Sequence, residues 1–140
     1  MRRLAYPLAA LTLASASCQR TDGLYPVSGR VTYRGVPAAG AAVFFNRRGG
    51  DPMAEHMVMG VVRDDGTFEL VCGALGKGAP PGEYDVLIDW RPAAGQGGGR
   101  PRRGPDRLKG RFADPKHPRL RASVGREATA IPPIELAEPG

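Results

Sequence analysis

The sequence has few of the residues on which most enzymes and metal sites depend. Its two histidines, His56 and His117, lie in separate segments, whereas a zinc site needs several ligands brought together. Ser28 and Ser123 fall on predicted solvent-facing sides of strands, with no histidine and acid arranged to activate either hydroxyl. The sequence therefore predicts no catalytic residue, no metal site and no cofactor, and we expect the chain not to be an enzyme.

Two ligand-binding motifs are present only in fragments. Asp64-Asp65-Gly66 resembles part of a calcium loop, but the Asp-x-Asp-x-Asp spacing and the closing Glu are missing. The glycine run at 97–99 is not followed by the Lys and Ser or Thr of a phosphate-binding loop. We interpret the first as a plain hairpin turn and the second as a flexible loop.

No apolar run is long enough to cross a membrane. Residues 4–16 are apolar or small and follow Arg2 and Arg3, but a transmembrane helix needs about 20 such residues. A short apolar run behind positive residues is typical of a secretory signal. We therefore expect residues 1–17 to form a signal peptide and the mature protein to be exported.

The end of this signal allows two interpretations. Residues 14–16 read Ala-Ser-Ala, which fits an ordinary cleavage site and a periplasmic or secreted product. Residues 15–18 instead resemble the lipobox of bacterial lipoproteins, in which small residues precede a lipid-modified cysteine, although Ser15 replaces the usual aliphatic residue. We favour lipidation at Cys18, because this cysteine lies at the right distance from the apolar run and a polar tether follows it, with residues 18–24 as the tether. More than one acyl chain would then give stable membrane anchoring.

Cysteine is scarce, with only Cys18 and Cys72 in the chain. Cys72 shares one face of an alternating pattern with Phe68 and Leu70, which predicts a buried, inert thiol. A disulfide between the two cysteines is the alternative in an oxidising compartment, although Cys18 lies outside the predicted folded region.

The rest of the chain follows the two-residue alternation of β-strands. Seven short strands are predicted, with no convincing amphipathic helix. They cover residues 27–33, 40–46, 57–63, 67–72, 84–90, 120–124 and 131–136. In the strand at 84–90, the inward residues are predicted to be Tyr84, Val86, Ile88 and Trp90. Leu87 belongs to the opposite face. This pattern predicts an all-β, antiparallel seven-stranded sandwich over residues 25–137.

Short turn motifs separate the predicted strands. Gly35 is expected to close a tight turn, because glycine readily adopts positive φ. Asp65-Gly66 predicts a type I′ hairpin between the third and fourth strands, and Pro81-Gly82 is typical of a type II turn. Strands that follow one another are therefore expected to pair antiparallel.

Positive charge is concentrated late in the chain. The formal net charge is +6, and segment 100–121 holds nine Lys or Arg residues against Asp106 and Asp114. Residues from about 92 to 112 are expected to form a flexible basic insertion. Such a patch attracts anions, which for an exported protein are lipid head groups or acidic polysaccharides; the alternative is a merely solvated loop. The expected contacts are Arg100, Arg102, Arg103, Arg107, Lys109 and Arg111.

The order of these motifs resembles the carboxypeptidase regulatory-like domain, a transthyretin-like (prealbumin-like) sandwich. The motifs are V-x-G-x-V from Val27, G-x-P-x-x-G-A-x-V from Gly35, D-G-x-F-x-L from Asp65 and P-G-x-Y-x-V from Pro81. Residues 104–115 are similar to a segment of small bacterial lipoproteins with this domain. The resemblance implies a non-catalytic accessory or surface module without peptidase activity.

Together these patterns predict a lipid-anchored module of the cell envelope with a structural or interaction role. Its expected partners are the membrane, through the anchor, and an envelope protein or acidic polysaccharide. The alternative is a binding module for a glycan, an anionic envelope polymer or a small apolar ligand. Nucleic acid is not expected, because single-strand binders interleave aromatic residues with their charges and the basic segment contains only Phe112.

Overall fold

A computed structural model describes residues 23–50, 56–91, 93–94 and 102–137. The expected signal peptide (1–17), Cys18 and Arg100 lie outside these residues. The described part is almost entirely β-structure, which confirms the all-β prediction, but it contains thirteen short strands and the predicted count of seven is not confirmed. The strands are β1 (Val27–Tyr33), β2 (Val36–Pro37), β3 (Ala42–Arg47), β4 (Val58–Val61), β5 (Thr67–Glu69), β6 (Val71–Cys72), β7 (Gly76–Lys77), β8 (Gly82–Asp89), β9 (Ala93–Ala94), β10 (Arg102–Arg103), β11 (Leu120–Val124), β12 (Thr129–Ala130) and β13 (Ile134–Leu136). A 3₁₀ turn at Gly73–Leu75 follows β6.

The strands form two main sheets. The six-stranded sheet has the order β11-β8-β3-β4-β6-β7, and every pair in it is antiparallel. In the five-stranded sheet β1 pairs antiparallel with β2 and β5, but parallel with β12 and β13. The expectation of purely antiparallel pairing is therefore wrong for the C-terminal strands. The chain crosses from β11 to the other sheet before it forms them, so no tight hairpin fixes their direction.

The core lies between the two sheets and is organised around β8. This strand pairs with β3 on one side and β11 on the other. Its predicted inward residues, Tyr84, Val86, Ile88 and Trp90, are all buried. Leu87, on the opposite face, is also only 7% exposed and sits across from Phe44 of β3. The expectation that only one face of this strand is covered is therefore wrong at Leu87.

The predicted fourth strand is divided between the sheets. β5 pairs with β1, whereas β6 pairs with β4. Leu70 lies at the crossing, where its N–H donates to the carbonyl of Val27 (3.0 Å) and its carbonyl accepts the N–H of Gly78 (2.8 Å). The backbone groups released by the crossing are thus satisfied, and one extended segment joins the two layers.

The turn predictions have mixed outcomes. Arg34 and Gly35 both have positive φ, at 50° and 77°, as a type I′ turn requires. In the turn before β5 only Gly66 has positive φ (88°) and Asp65 does not, so the type I′ prediction there is wrong. Gly82 has a φ of 152°, far from the +80° of a type II turn, so that prediction is also wrong.

Among the described residues, no helix has the length and apolar character needed to cross a bilayer.

Candidate anion-binding cleft

A cleft of about 220 Å³ lies at the end of β1 where Tyr33 meets the segment that follows β10. Its lining combines three basic side chains with two aromatic rings and two apolar residues. The lining residues are Tyr33, Arg107, Leu108, Lys109, Arg111, Phe112 and Ala137. The end of β13 lies next to the end of β1, as shown by the hydrogen bond from the N–H of Arg34 to the carbonyl of Leu136 (3.4 Å).

The carboxylate of Asp106 shapes the basic side of the cleft. Its Oδ1 accepts the N–H groups of Trp90 and Leu108, both at 3.0 Å, and its Oδ2 accepts the N–H of Gly110 at 2.8 Å. A carboxylate that accepts several backbone N–H groups holds a loop firmly, since hydrogen bonds to charged groups are stronger than neutral ones. Residues 106–110 are thereby fixed to the end of β8.

Trp90 connects this segment to the core. Its indole N–H donates to the carbonyl of Ala39 at 2.9 Å, and its ring meets the ring of Tyr33 edge-on, with centroids 5.7 Å apart. The guanidinium of Arg107 lies 4.8 Å above the Trp90 ring, within the range of a cation–π interaction. Leu108 is buried in the same core. The last part of the expected insertion therefore contacts the core, through Leu108 and through Arg107 on Trp90.

The three basic side chains of the cleft have no ion-pair partner among the described residues, and the Asp106 carboxylate of the same segment bonds to backbone N–H groups instead. Arg107, Lys109 and Arg111 form no ion pair within the part of the chain that the structure describes. Lys109 has a φ of 55° and Gly110 a φ of 74°, so the segment turns sharply between the outer two cations. Arg107 and Lys109 are exposed and Arg111 is half-buried, and three positive charges grouped around one cleft attract a phosphate or carboxylate group.

The structure brings together three of the six predicted anion contacts: Arg107, Lys109 and Arg111 line one cleft. Arg102 and Arg103 lie on β10, which pairs with β9 and with neither main sheet, and Arg100 lies outside the described residues. Sequence reasoning missed Tyr33 and Asp106. Asp106 could have been found, because aspartate commonly accepts the N–H two residues further on.

The histidines and Cys72 form no further site. His117 Nδ1 lies 2.9 Å from Asp114 Oδ2 in an exposed turn, and His56 is exposed. Over the described ranges, no three His, Cys, Asp or Glu side chains are grouped as metal ligands. Cys72 is buried and unpaired, and its burial raises the pKa of the thiol.

No family model and no curated protein matches the chain. A comparison with solved structures matches the crystal structure of a 9R-lipoxygenase from Cyanothece PCC8801, with a TM-score of 0.46 and 14% identity over 85% of this chain. The match covers 17% of the lipoxygenase chain. The matched protein is an enzyme, so the comparison gives no support to the expectation that this chain is not an enzyme, and that expectation is withdrawn. A likeness this weak assigns no lipoxygenase activity here.

Proposed function

We propose that the protein is an exported cell-envelope module that binds an acidic polymer through the cleft. The observation that carries this proposal is the grouping of Arg107, Lys109 and Arg111 around one cleft, with no carboxylate partner among the described residues. Acidic polysaccharides present carboxylates or phosphates at regular spacing along the chain. The cleft has a volume of about 220 Å³, which leaves room for one such group.

The proposal includes export and anchoring at Cys18. The short apolar run behind Arg2 and Arg3, and the small residues before Cys18, support it. Mass spectrometry of the native protein is expected to find residues 1–17 removed and acyl mass added at Cys18. An unmodified N-terminus at Ser17 would instead establish ordinary cleavage and a product without a lipid anchor.

The proposal also includes membership of the carboxypeptidase regulatory-like family, with its transthyretin-like seven-stranded sandwich. The order of the strand and turn motifs between Val27 and Val86 supports this family. Fold alone constrains function loosely, so the binding role rests on the cleft and not on the family.

The cleft is tested by removing its charge without changing the fold. The double variant Lys109→Ala/Arg111→Ala is compared with Arg119→Ala/Arg126→Ala, which removes the same charge from exposed positions away from the cleft. Retention on an immobilised acidic polysaccharide is expected to fall roughly tenfold or more for the cleft variant only, because hydrogen bonds to charged groups contribute about 1.5–3 kcal/mol each. Arg107 is kept because it also packs on Trp90.

Salt provides a second measure in the same assay. Binding of the unaltered protein is expected to weaken from low to physiological ionic strength, because exposed charges are screened beyond about 8 Å at 0.15 M salt. Equal losses in both double variants would mean that net charge alone drives retention. Unaltered protein that is not retained at all would overturn the proposal.

A further inference from the structure

One corner of the six-stranded sheet presents apolar side chains to solvent. Met57, Val61, Val71 and Leu75 are 61%, 56%, 40% and 57% exposed. Met59 of β4 lies directly opposite Val71 of β6, so the strand alternation puts these two residues on one face with Met57 and Val61. Leu75 follows in the turn after β6. These five residues are called the apolar corner.

The apolar corner also carries a positive charge. Lys77 of β7 lies opposite Val71 and is exposed, and it forms no ion pair with any residue that the structure describes. Large apolar side chains grouped on a surface commonly mark a contact with a protein or membrane. The neighbouring cation favours a surface that is itself negatively charged.

The first backbone pairing in the described part of the chain lies beside this corner. The N–H of Tyr25 donates to the carbonyl of Ala79 (2.9 Å), and the N–H of Ala79 donates back to Tyr25 (3.0 Å). Ala79 is only two residues beyond Lys77. Cys18 precedes Tyr25 by seven residues, which span at most about 25 Å when fully extended. A lipid on Cys18 would therefore hold the apolar corner close to the bilayer.

We propose that the apolar corner rests on the phospholipid surface in which Cys18 is anchored. The exposed apolar side chains enter the boundary between headgroups and acyl chains, while Lys77 meets anionic headgroups. This inference rests on the anchoring part of the proposed function and is independent of the polymer cleft. It also sets an orientation, because the cleft lies at the far end of β1 from Tyr25.

The orientation is tested by placing one fluorescent label at each end of the molecule. Leu75→Cys puts the label in the apolar corner. Val36→Cys is the matched control, since Val36 is 61% exposed and pairs with Tyr33 at the cleft end of β1. Both full-length chains are produced with their own leader, labelled with an environment-sensitive thiol reagent and mixed with vesicles containing anionic phospholipid and a headgroup-region quencher. The parent chain, labelled in parallel, gives the signal of its own cysteines.

The expected result is flotation of both proteins with the vesicles, loss of fluorescence at position 75 and no loss at position 36. Adding Lys77→Glu is expected to reduce the quenching at position 75 in anionic vesicles and not in neutral ones. Equal quenching at the two positions, or none at position 75, would overturn the inference while the anchor still stands. Protein that does not float with vesicles overturns it too. Retention on acidic polysaccharide, measured on the same samples, reports separately whether the cleft functions.

Discussion

Individual residues decide how the cleft is built, and Asp106 is the clearest case. In the sequence, Asp106 is only one of two acidic residues in the basic segment 100–121, and its role as a hydrogen-bond acceptor is not predicted. Its bonds to Leu108 and Gly110 are local and follow from aspartate's habit of accepting nearby N–H groups. Its bond to Trp90 spans sixteen residues and depends on how the chain returns to β8, which no local pattern contains.

Asp106→Ala is expected to lower the free energy of unfolding by about 1.5–3 kcal/mol, because it removes a charged acceptor from three N–H groups, one of them on the buried Trp90. Urea unfolding measures this loss. Polymer retention should fall as well, although Asp106 is not among the residues that line the cleft. Asp106→Asn keeps one acceptor oxygen and should lose less. An alanine variant as stable as the parent would contradict the role given to this carboxylate.

Gly60 illustrates a second residue-scale constraint. A Cβ added there would lie 2.5 Å from the carbonyl oxygen of Glu69, which belongs to the backbone and cannot rotate away. Gly60→Ala is therefore expected to destabilise the protein by about 1–3 kcal/mol, the usual cost of overpacking. Gly125→Ala is the control, since nothing lies within 4 Å of its added Cβ. Similar thermal midpoints for the two variants would contradict the close approach of β4 and β5.

Among the elements, sequence patterns predicted best where one face of a strand is uniformly buried. The alternation of β8 gave its core residues correctly, because burial on that face repeats every two residues. The same reasoning failed at Leu70, where the alternating pattern continues while the hydrogen-bond partners change from β1 to β4. It also failed for β12 and β13, because alternation is identical for parallel and antiparallel strands. The cleft was predicted only as a basic segment, without Tyr33.

The β9–β10 hairpin provides an element-scale prediction. It pairs with neither main sheet, and Trp90 is bonded to Asp106 and Arg107 on its far side. Deleting residues 93–103 shortens the loop between Trp90 and Asp106 nearly fourfold. The free energy of unfolding should therefore change by only about 1.2 kcal/mol, because each halving of a loop changes its closure entropy by about 0.6 kcal/mol. Polymer retention should persist, because Arg107, Lys109 and Arg111 remain. If retention disappears in a stably folded deletion variant, the contact belongs to Arg100, Arg102 and Arg103 instead.

On the scale of the whole molecule, aspartates in two exposed turns make the free energy of unfolding depend on pH. The Thr67 hydroxyl, followed by its N–H, lowers the pKa of Asp65, and the His117 ring, followed by the Lys116 N–H, lowers the pKa of Asp114. A carboxyl whose pKa is lower in the folded state contributes stability at pH values above its ordinary range. That contribution is lost as the pH falls through the folded-state pKa.

The urea midpoint is therefore expected to fall between pH 7 and pH 3, since unperturbed aspartate titrates near pH 4. Asp65→Asn removes one of the two titrating groups while keeping an acceptor for Thr67. Its midpoint should be lower than the parent's at pH 7 and should fall less on acidification. A variant with the same pH dependence as the parent would show that Asp65 does not contribute to the acid response.

The path of β1 has a mechanical consequence for a module attached at both ends. β1 begins nine residues after the proposed anchor, Cys18, and ends at Tyr33 in the cleft, so a pull between membrane and polymer would run along its axis. Its ladder bonds to β2, β5, β12 and β13 lie across that axis. Such a load shears several bonds at once and does not open them one after another. β1, which pairs with every other strand of the smaller sheet, would then also carry the force between the membrane and the bound polymer.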